Sequence, residues 1–308
     1  MRILSTRRYP GRSFDELGEV GEVEVRPLAD LDAQRPDVEA LVVANEPVPV
    51  ELLPNLRVVA NFGVGYDRIG VEACVEQGVV VTNTPGVLDA ATADLTLALI
   101  LAAMRGVVAG DRLIRTGGWT GAWSEGELAD EVTGSTLGIV GLGRIGSAVA
   151  RRARGFELRV LYTQRRRVET ELGEYRELDD LLGESDVVTL HVPLTPETDG
   201  LIDARRLALL RDGACLVNTA RGEIVDEDAL VAELVSGRLR AGLDVFRDEP
   251  NVPPALLDLP NVVLTPHIGS GTREAREAMT RLVVDNVLAV ARGDRPLTPV
   301  TEIGATRG

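Results

Sequence analysis

The chain has 308 residues, 44% of them hydrophobic and 26% charged, with 48 acidic against 33 basic side chains and a net charge of −15. That length suits two domains of ordinary size with sizeable cores, and the composition is that of a soluble globular protein. So acidic a surface repels phosphate backbones and excludes nucleic acid as an expected partner. Every basic residue is arginine, and without lysine neither Schiff-base chemistry nor a phosphate-loop lysine is available.

The two cysteines, Cys74 and Cys215, lie among apolar or small residues without metal-ligand spacing and are expected to be buried thiols in a reducing compartment. Residues 1–8 lack the apolar core of a secretion signal. The most apolar stretch, residues 95–104, is too short to span a bilayer. A cytoplasmic location with no membrane partner is therefore expected.

In chain order, residues 2–5, 22–26, 40–44, 56–60 and 79–82 are apolar or β-branched runs of strand length, separated by proline and acidic segments. Such alternation predicts a parallel sheet covered by helices. Over residues 91–115 Leu95, Leu97, Ala98, Leu101, Ala102 and Arg105 recur at helix spacing, predicting a helical stretch that Gly117-Gly118-Trp119 ends. A loop rich in glycine and acid follows to residue 131. Both tryptophans, Trp119 and Trp123, fall in it, either anchoring an ordered loop or serving as a lid or dimer contact; a homodimer is expected.

A second strand–helix series begins at Thr136. Strands are predicted at 137–140, 159–162, 187–190, 214–218, 241–245 and 262–264, with a helix at 145–154. A closing helix over 272–292 is stopped by Gly293 and Pro296. The chain thus reads as two α/β units.

After the strand Leu137-Gly138-Ile139-Val140, the turn Gly141-Leu142-Gly143-Arg144-Ile145-Gly146 has G-x-G-x-x-G spacing and opens directly into a helix. The first glycine permits the tight turn, the second lets a pyrophosphate approach the backbone, and the third lets helix and strand pack closely. Free N–H groups at the helix start suit the phosphates. Dinucleotide binding is the reading of this setting; an ordinary βα turn is the plainer alternative.

The end of the next strand bears on which dinucleotide. An NAD enzyme usually carries Asp or Glu there to hold the ribose 2′-hydroxyl. Here the strand runs into Thr163-Gln164-Arg165-Arg166-Arg167. A 2′-phosphate would be repelled by a carboxylate and attracted by guanidinium groups. Gln164, Arg165 and Arg166 therefore favour NADP(H), with NAD(H) as the alternative.

With two histidines in the chain, the search for a proton donor near neutral pH is short. His191 and His267 both follow predicted strands, at the edge where open α/β sheets bind ligands. The segment Asn218-Thr219-Ala220-Arg221-Gly222 brings an arginine to the same edge. Residues 244–250 bring Asp244 and Glu249. No metal-ligand cluster is apparent, and none is needed.

Together with Gly63-Val64-Gly65-Tyr66-Asp67 and Pro266-His267-Ile268-Gly269, these segments resemble the D-isomer-specific 2-hydroxyacid dehydrogenase family over nearly the whole chain. The 115–119 loop and the arginines after Thr163 are similar to its glyoxylate/hydroxypyruvate reductase branch. The resemblance implies two Rossmann-like doubly wound parallel-sheet domains. The dinucleotide-binding domain (91–272) would be inserted in a substrate domain formed by 1–90 and 273–308. It implies His267 as acid/base, Glu249 as its partner, and Arg221 as anchor of a small 2-keto or 2-hydroxy acid. Val64 and Gly65 would bind the substrate carboxylate through backbone N–H groups. Asp244 would meet the nicotinamide carboxamide, with Thr219, Ala220, Val192 and Gly269 along the cofactor; His191 is expected to be structural or ribose-adjacent.

The chemistry is consistent with those roles. Hydride addition to a keto group builds charge on its oxygen, which an imidazolium can neutralise, typically for about 10²–10⁴-fold in rate. A carboxylate beside that histidine favours its charged form and fixes its tautomer. Other members of the family, acting on 2-ketogluconate, phosphoglycerate or D-lactate, are alternatives, as is a dinucleotide-sensing protein of corepressor type on the same fold.

Overall fold

The computed structural model describes residues 1–121 and 128–300. The first half of the chain forms strands β1 (Arg2–Ser5), β2 (Glu22–Val25), β3 (Val38–Val43) and β4 (Val58–Asn61), helix α1 (Val71–Glu76), strand β5 (Val80–Thr82) and helices α2 (Asp89–Met104) and α3 (Val107–Arg115). Then come β6 (Thr136–Val140), α4 (Arg144–Ala153), β7 (Arg159–Thr163), β8 (Glu174–Tyr175), α5 (Leu178–Glu184), β9 (Val187–Leu190) and α6 (Ala204–Leu207). The chain closes with β10 (Cys215–Asn218), α7 (Glu227–Val235), β11 (Arg240–Leu243), β12 (Val262–Leu264) and α8 (Arg273–Arg292).

These elements make two compact α/β units, the second, Asp89–Ser270, inserted between Met1–Leu88 and the segment from Gly271 onward. In the first unit five parallel strands lie in the order β2-β1-β3-β4-β5. Leu4, Leu41, Val43, Val59, Cys74 and Val81 are buried together in its core. Helix α8 is started by Thr272, whose hydroxyl accepts the Ala275 N–H at 3.1 Å, and stopped by Gly293 in the left-handed region at φ 83°. It joins the unit through long-range bonds. Arg57 donates to the Val290 carbonyl at 2.8 Å, and Glu277 accepts the Arg12 N–H at 2.8 Å.

The second unit is a seven-stranded parallel sheet in the order β12-β11-β10-β9-β6-β7-β8. Its inner strands are buried along their length, which is why they read as mostly apolar runs and not as alternating ones. Leu97, Ile100, Leu137, Ile139 and Val149 fill one core, and Leu161, Val188, Leu190, Leu216 and Leu230 the other. The strand order reverses between β6 and β9, and that switch point is where open α/β sheets take ligands.

The helical stretch expected over 91–115 is two helices, bent by 63°. The break is at Gly106, which takes the left-handed conformation at φ 61°. The sequence reads as one stretch because a single glycine costs a helix only about 1 kcal/mol, too little to mark a stop by itself. The halves differ in surroundings. Leu97, Leu99 and Ile100 of α2 are buried, whereas Val107, Val108 and Ile114 of α3 are exposed. The two-residue β8, an edge strand, was not expected from the sequence.

Trp119 is exposed; Trp123 lies outside the described residues. No single helix among the described residues is long and apolar enough to cross a membrane.

Candidate active site

Within the second unit, residues singled out in six separate segments follow the carboxyl ends of parallel strands: Gly141 after β6, Gln164 after β7, His191 after β9, Arg221 after β10, Asp244 after β11 and His267 after β12. A parallel sheet delivers this convergence because every strand ends on the same edge.

The glycine turn has the dimensions of a phosphate cradle. Gly141 adopts φ +98°, and a Cβ there would lie 2.8 Å from the His191 carbonyl. A Cβ on Gly146 would lie 2.1 Å from the Gly141 oxygen, so helix and strand touch at that point. At Gly143, by contrast, a Cβ would meet nothing within 4 Å. Gly143 also begins α4 without any side-chain cap. The open space and uncapped helix start suit an anion, and the turn fits a dinucleotide pyrophosphate. Arg144 is exposed and Ile145 half-buried beside it.

After β7, the Gln164 side chain folds back and donates to the Arg166 carbonyl at 2.6 Å. Arg165, Arg166 and Arg167 are exposed. Arg167 stacks over the Tyr175 ring at 5.4 Å, which turns it toward β8.

His191 sits under the glycine turn. Its N–H donates to the Val140 carbonyl at 2.8 Å and its Nε2 lies 3.1 Å from the Thr189 hydroxyl. Burial pushes its ring down to about 3, so it stays neutral at physiological pH and is a poor proton donor. Burial likewise pushes the Cys215 thiol up to about 12, leaving no thiolate nucleophile at neutral pH. Cys74 is buried as well.

His267 differs in every respect. It is exposed and its backbone is left-handed at φ 51°, a region side chains enter only when the surroundings hold them there. Asp244 supplies that hold. Its carbonyl accepts the His267 N–H at 2.9 Å, while its carboxylate accepts the Thr265 hydroxyl (2.6 Å) and the Ile268 and Gly269 N–H groups (2.8 Å each). Asp244 is buried, and that burial keeps its carboxyl above the ordinary value although these donors and the nearby His267 charge pull it down.

The imidazole Nδ1 lies 2.7 Å from Oε2 of Glu249, whose Oε1 accepts the Phe246 N–H at 3.1 Å. An ionised carboxylate only accepts, so Nδ1 carries the proton and Nε2 is left for other chemistry. Burial pushes the Glu249 carboxyl up, but the His267 bond and charge, the Phe246 N–H and the Arg221 charge outweigh it and hold it below the usual range. Arg221 is thus electrostatically coupled to the pair.

The backbone at Arg221 is fixed by Asn218, whose amide donates to the Arg221 carbonyl (2.7 Å) and accepts the Ala220 N–H (3.0 Å). Arg221 Nη1 donates to the Ala220 carbonyl at 2.7 Å. Thr219 meets the Thr96 hydroxyl at 3.0 Å, and Val192 and Ala220 are half-buried.

Val64 and Gly65 belong to the first unit, just past β4. Their carbonyls are engaged by Asn83 (2.9 Å) and Asn61 (2.8 Å), which pins the turn. Sequence reasoning gave Thr265, Asn218 and Asn61 no role, because a residue that holds another's backbone leaves no spacing pattern. Among the described residues no group of three or more His, Cys, Asp or Glu is placed to hold a metal.

A nucleotide-type strand order with a glycine cradle at its reversal, and a carboxylate-bound imidazole on the same edge, are the parts of an oxidoreductase that uses a nicotinamide dinucleotide. The chain belongs to the D-isomer specific 2-hydroxyacid dehydrogenase family, whose NAD binding domain matches residues 97–269. It is 48% identical to glyoxylate reductase of Pyrococcus furiosus, over 98% of this chain and 95% of that one. Among solved structures it is similar to the NADPH-dependent glyoxylate/hydroxypyruvate reductase of Sinorhizobium meliloti in complex with NADP and malonate, with TM-score 0.91, 38% identity and coverage of 100% and 98% of the two chains. It is also similar to the TT0316 protein of Thermus thermophilus, with TM-score 0.90, 44% identity and coverage of 98% and 100%.

Proposed function

We propose that the protein reduces a small 2-keto acid of glyoxylate or hydroxypyruvate type to the D-2-hydroxy acid, with NADPH favoured over NADH. The observation that carries this reading is the 2.7 Å contact of His267 Nδ1 with Glu249, beside the charge of Arg221. The relatives named above as glyoxylate reductases support the substrate class.

The reduced nicotinamide, when bound, supplies hydride to the keto carbon. Arg221 holds the substrate carboxylate and polarises the carbonyl, an effect whose loss typically costs about 3–4 kcal/mol of barrier. The family resemblance also gives the Val64 and Gly65 N–H groups of the first unit a part in binding a substrate carboxylate. His267 donates its Nε2 proton to the carbonyl oxygen as charge develops there, giving the hydroxyl. Glu249 keeps Nδ1 protonated throughout, so that the imidazole turns neutral at Nε2 alone. The Gly141–Gly146 turn and the α4 start would hold the pyrophosphate, with Ile145, Val192, Thr219, Ala220, Asp244 and Gly269 along the dinucleotide. Arg165 and Arg166 would hold the 2′-phosphate, where no carboxylate stands at Gln164 to repel it. The assembly expected is a homodimer.

Steady-state rates over a panel of 2-keto acids, each with NADPH and NADH, test the reading. It predicts the highest kcat/KM for glyoxylate or hydroxypyruvate with NADPH. A protein that binds NADPH but oxidises almost none with any of them would be a sensor, not a reductase.

A further inference from the structure

The first unit holds a cation that its own fold leaves unused. Arg276, in the first turn of α8, is half-buried, yet among the described residues its guanidinium meets no carboxylate and no hydrogen-bond acceptor. It lies instead over the Phe62 ring, 5.5 Å from the centroid. The other half-buried arginines (Arg2, Arg26, Arg35, Arg152, Arg176, Arg206, Arg221, Arg238, Arg240 and Arg281) each give a guanidinium to a carboxylate or carbonyl oxygen. In a chain with 48 acids for 33 arginines, partners are abundant. The adjacent acid, Glu277, is taken by Ser13 and the Arg12 N–H. Burial alone acts on Arg276, holding its guanidinium below the usual value.

The platform is rigid. Phe62 is 5% exposed, its N–H donates to the Val43 carbonyl at 2.7 Å, and its ring packs 4.5 Å from that of Tyr9. Phe62 directly precedes Gly63-Val64-Gly65, at the carboxyl end of β4, where the carbonyls are already engaged. A guanidinium held on an aromatic face keeps its donor edge free for a planar anion.

We propose that Arg276 is a substrate-anion residue, held on Phe62 to bind the carboxylate of the 2-keto acid together with the Val64–Gly65 turn. This rests on the proposed reductase reading for the identity of the anion. Loss of one charge-assisted bond of this kind should weaken carboxylate binding about 10- to 100-fold.

The test uses Arg276→Gln and Arg276→Lys in the full-length protein. Expected for Arg276→Gln are a KM for glyoxylate and a dissociation constant for the unreactive carboxylate oxamate that both rise about 10-fold or more. NADPH affinity and Tm should stay as in the parent, because no internal ion pair is lost; Arg276→Lys should recover part of the binding. Oxamate affinity unchanged in both variants overturns the proposal, as does a fall in Tm with equal loss of NADPH binding, the mark of a merely structural residue. If the parent protein reduces no 2-keto acid yet binds oxamate through Arg276, the reductase reading fails and the anion site stands; if the parent binds no oxamate, the anion site fails.

Discussion

Asp244 holds His267 by its backbone, not by its ring: the Asp244 carbonyl takes the His267 N–H at 2.9 Å, and its carboxylate ties down the two residues that follow. The imidazole is thereby presented from a left-handed residue at φ 51° that its own preferences would not choose. Asp244→Asn replaces one accepting oxygen by a donor and leaves the Gly269 N–H or the Ile268–Thr265 pair facing it. About 1–3 kcal/mol of stability should be lost. The kcat should fall more than NADPH affinity does. Denaturant unfolding and single-turnover kinetics check both, and full kcat in Asp244→Asn would contradict the positioning role.

His267→Gln removes the proposed proton donor while leaving the dinucleotide cradle intact. Its kcat should fall by about 10²–10⁴-fold with NADPH binding retained. Glu249→Gln should give a smaller loss of kcat, because the amide still fills the space but no longer balances an imidazolium. Near-normal reduction by the His267 variant would remove it from the mechanism.

The glycine turn separates packing from binding. Gly146→Ala forces a Cβ to 2.1 Å from the Gly141 oxygen and should destabilise the protein by about 1–3 kcal/mol. Gly143→Ala meets nothing within 4 Å, so Tm should hold while NADPH affinity drops, the methyl group standing where phosphate would approach. Thermal unfolding with and without NADPH distinguishes the two.

Arg165→Ala combined with Arg166→Ala should reduce the ratio of NADPH to NADH kcat/KM by about 10-fold or more, chiefly through the KM for NADPH. An unchanged ratio would show that these exposed arginines are solvated surface.

His191 contributes a pH dependence of stability. Its folded value of about 3 lies below its ordinary 6.5, so folding favours the neutral ring. The contribution is complete above about pH 6.5 and is lost as pH falls from there toward 3, with a limiting slope of about 1.4 kcal/mol per pH unit. The residue keeps some access to solvent, so a gentler slope is expected. Denaturation curves from about pH 7 to about pH 5 should flatten in His191→Gln if this ring is responsible.

Much of the second unit is legible in the sequence. The bounds of Val187–Leu190 and Val262–Leu264 follow from short runs of β-branched and apolar residues, because strands covered on both faces select for them. The glycine turn was legible because close approach of backbone to backbone admits no other residue at Gly146. The α2–α3 break was not, since a single glycine costs a helix too little to mark a stop.

By itself the sequence determined which residues could do chemistry here: few histidines, no lysine, an arginine and acids at strand ends, and glycines where a phosphate must come close. Those properties are local, set by side-chain type and spacing. Only the tertiary structure decided which histidine meets a carboxylate. Glu249 and His267 lie 18 residues apart, and their 2.7 Å contact depends on adjacent parallel strands β11 and β12 ending on one edge. It decided also that His191 is buried and neutral, and that Arg276 lies against Phe62. Burial and pairing are properties of the surroundings, and for residues far apart in the chain folding alone creates them.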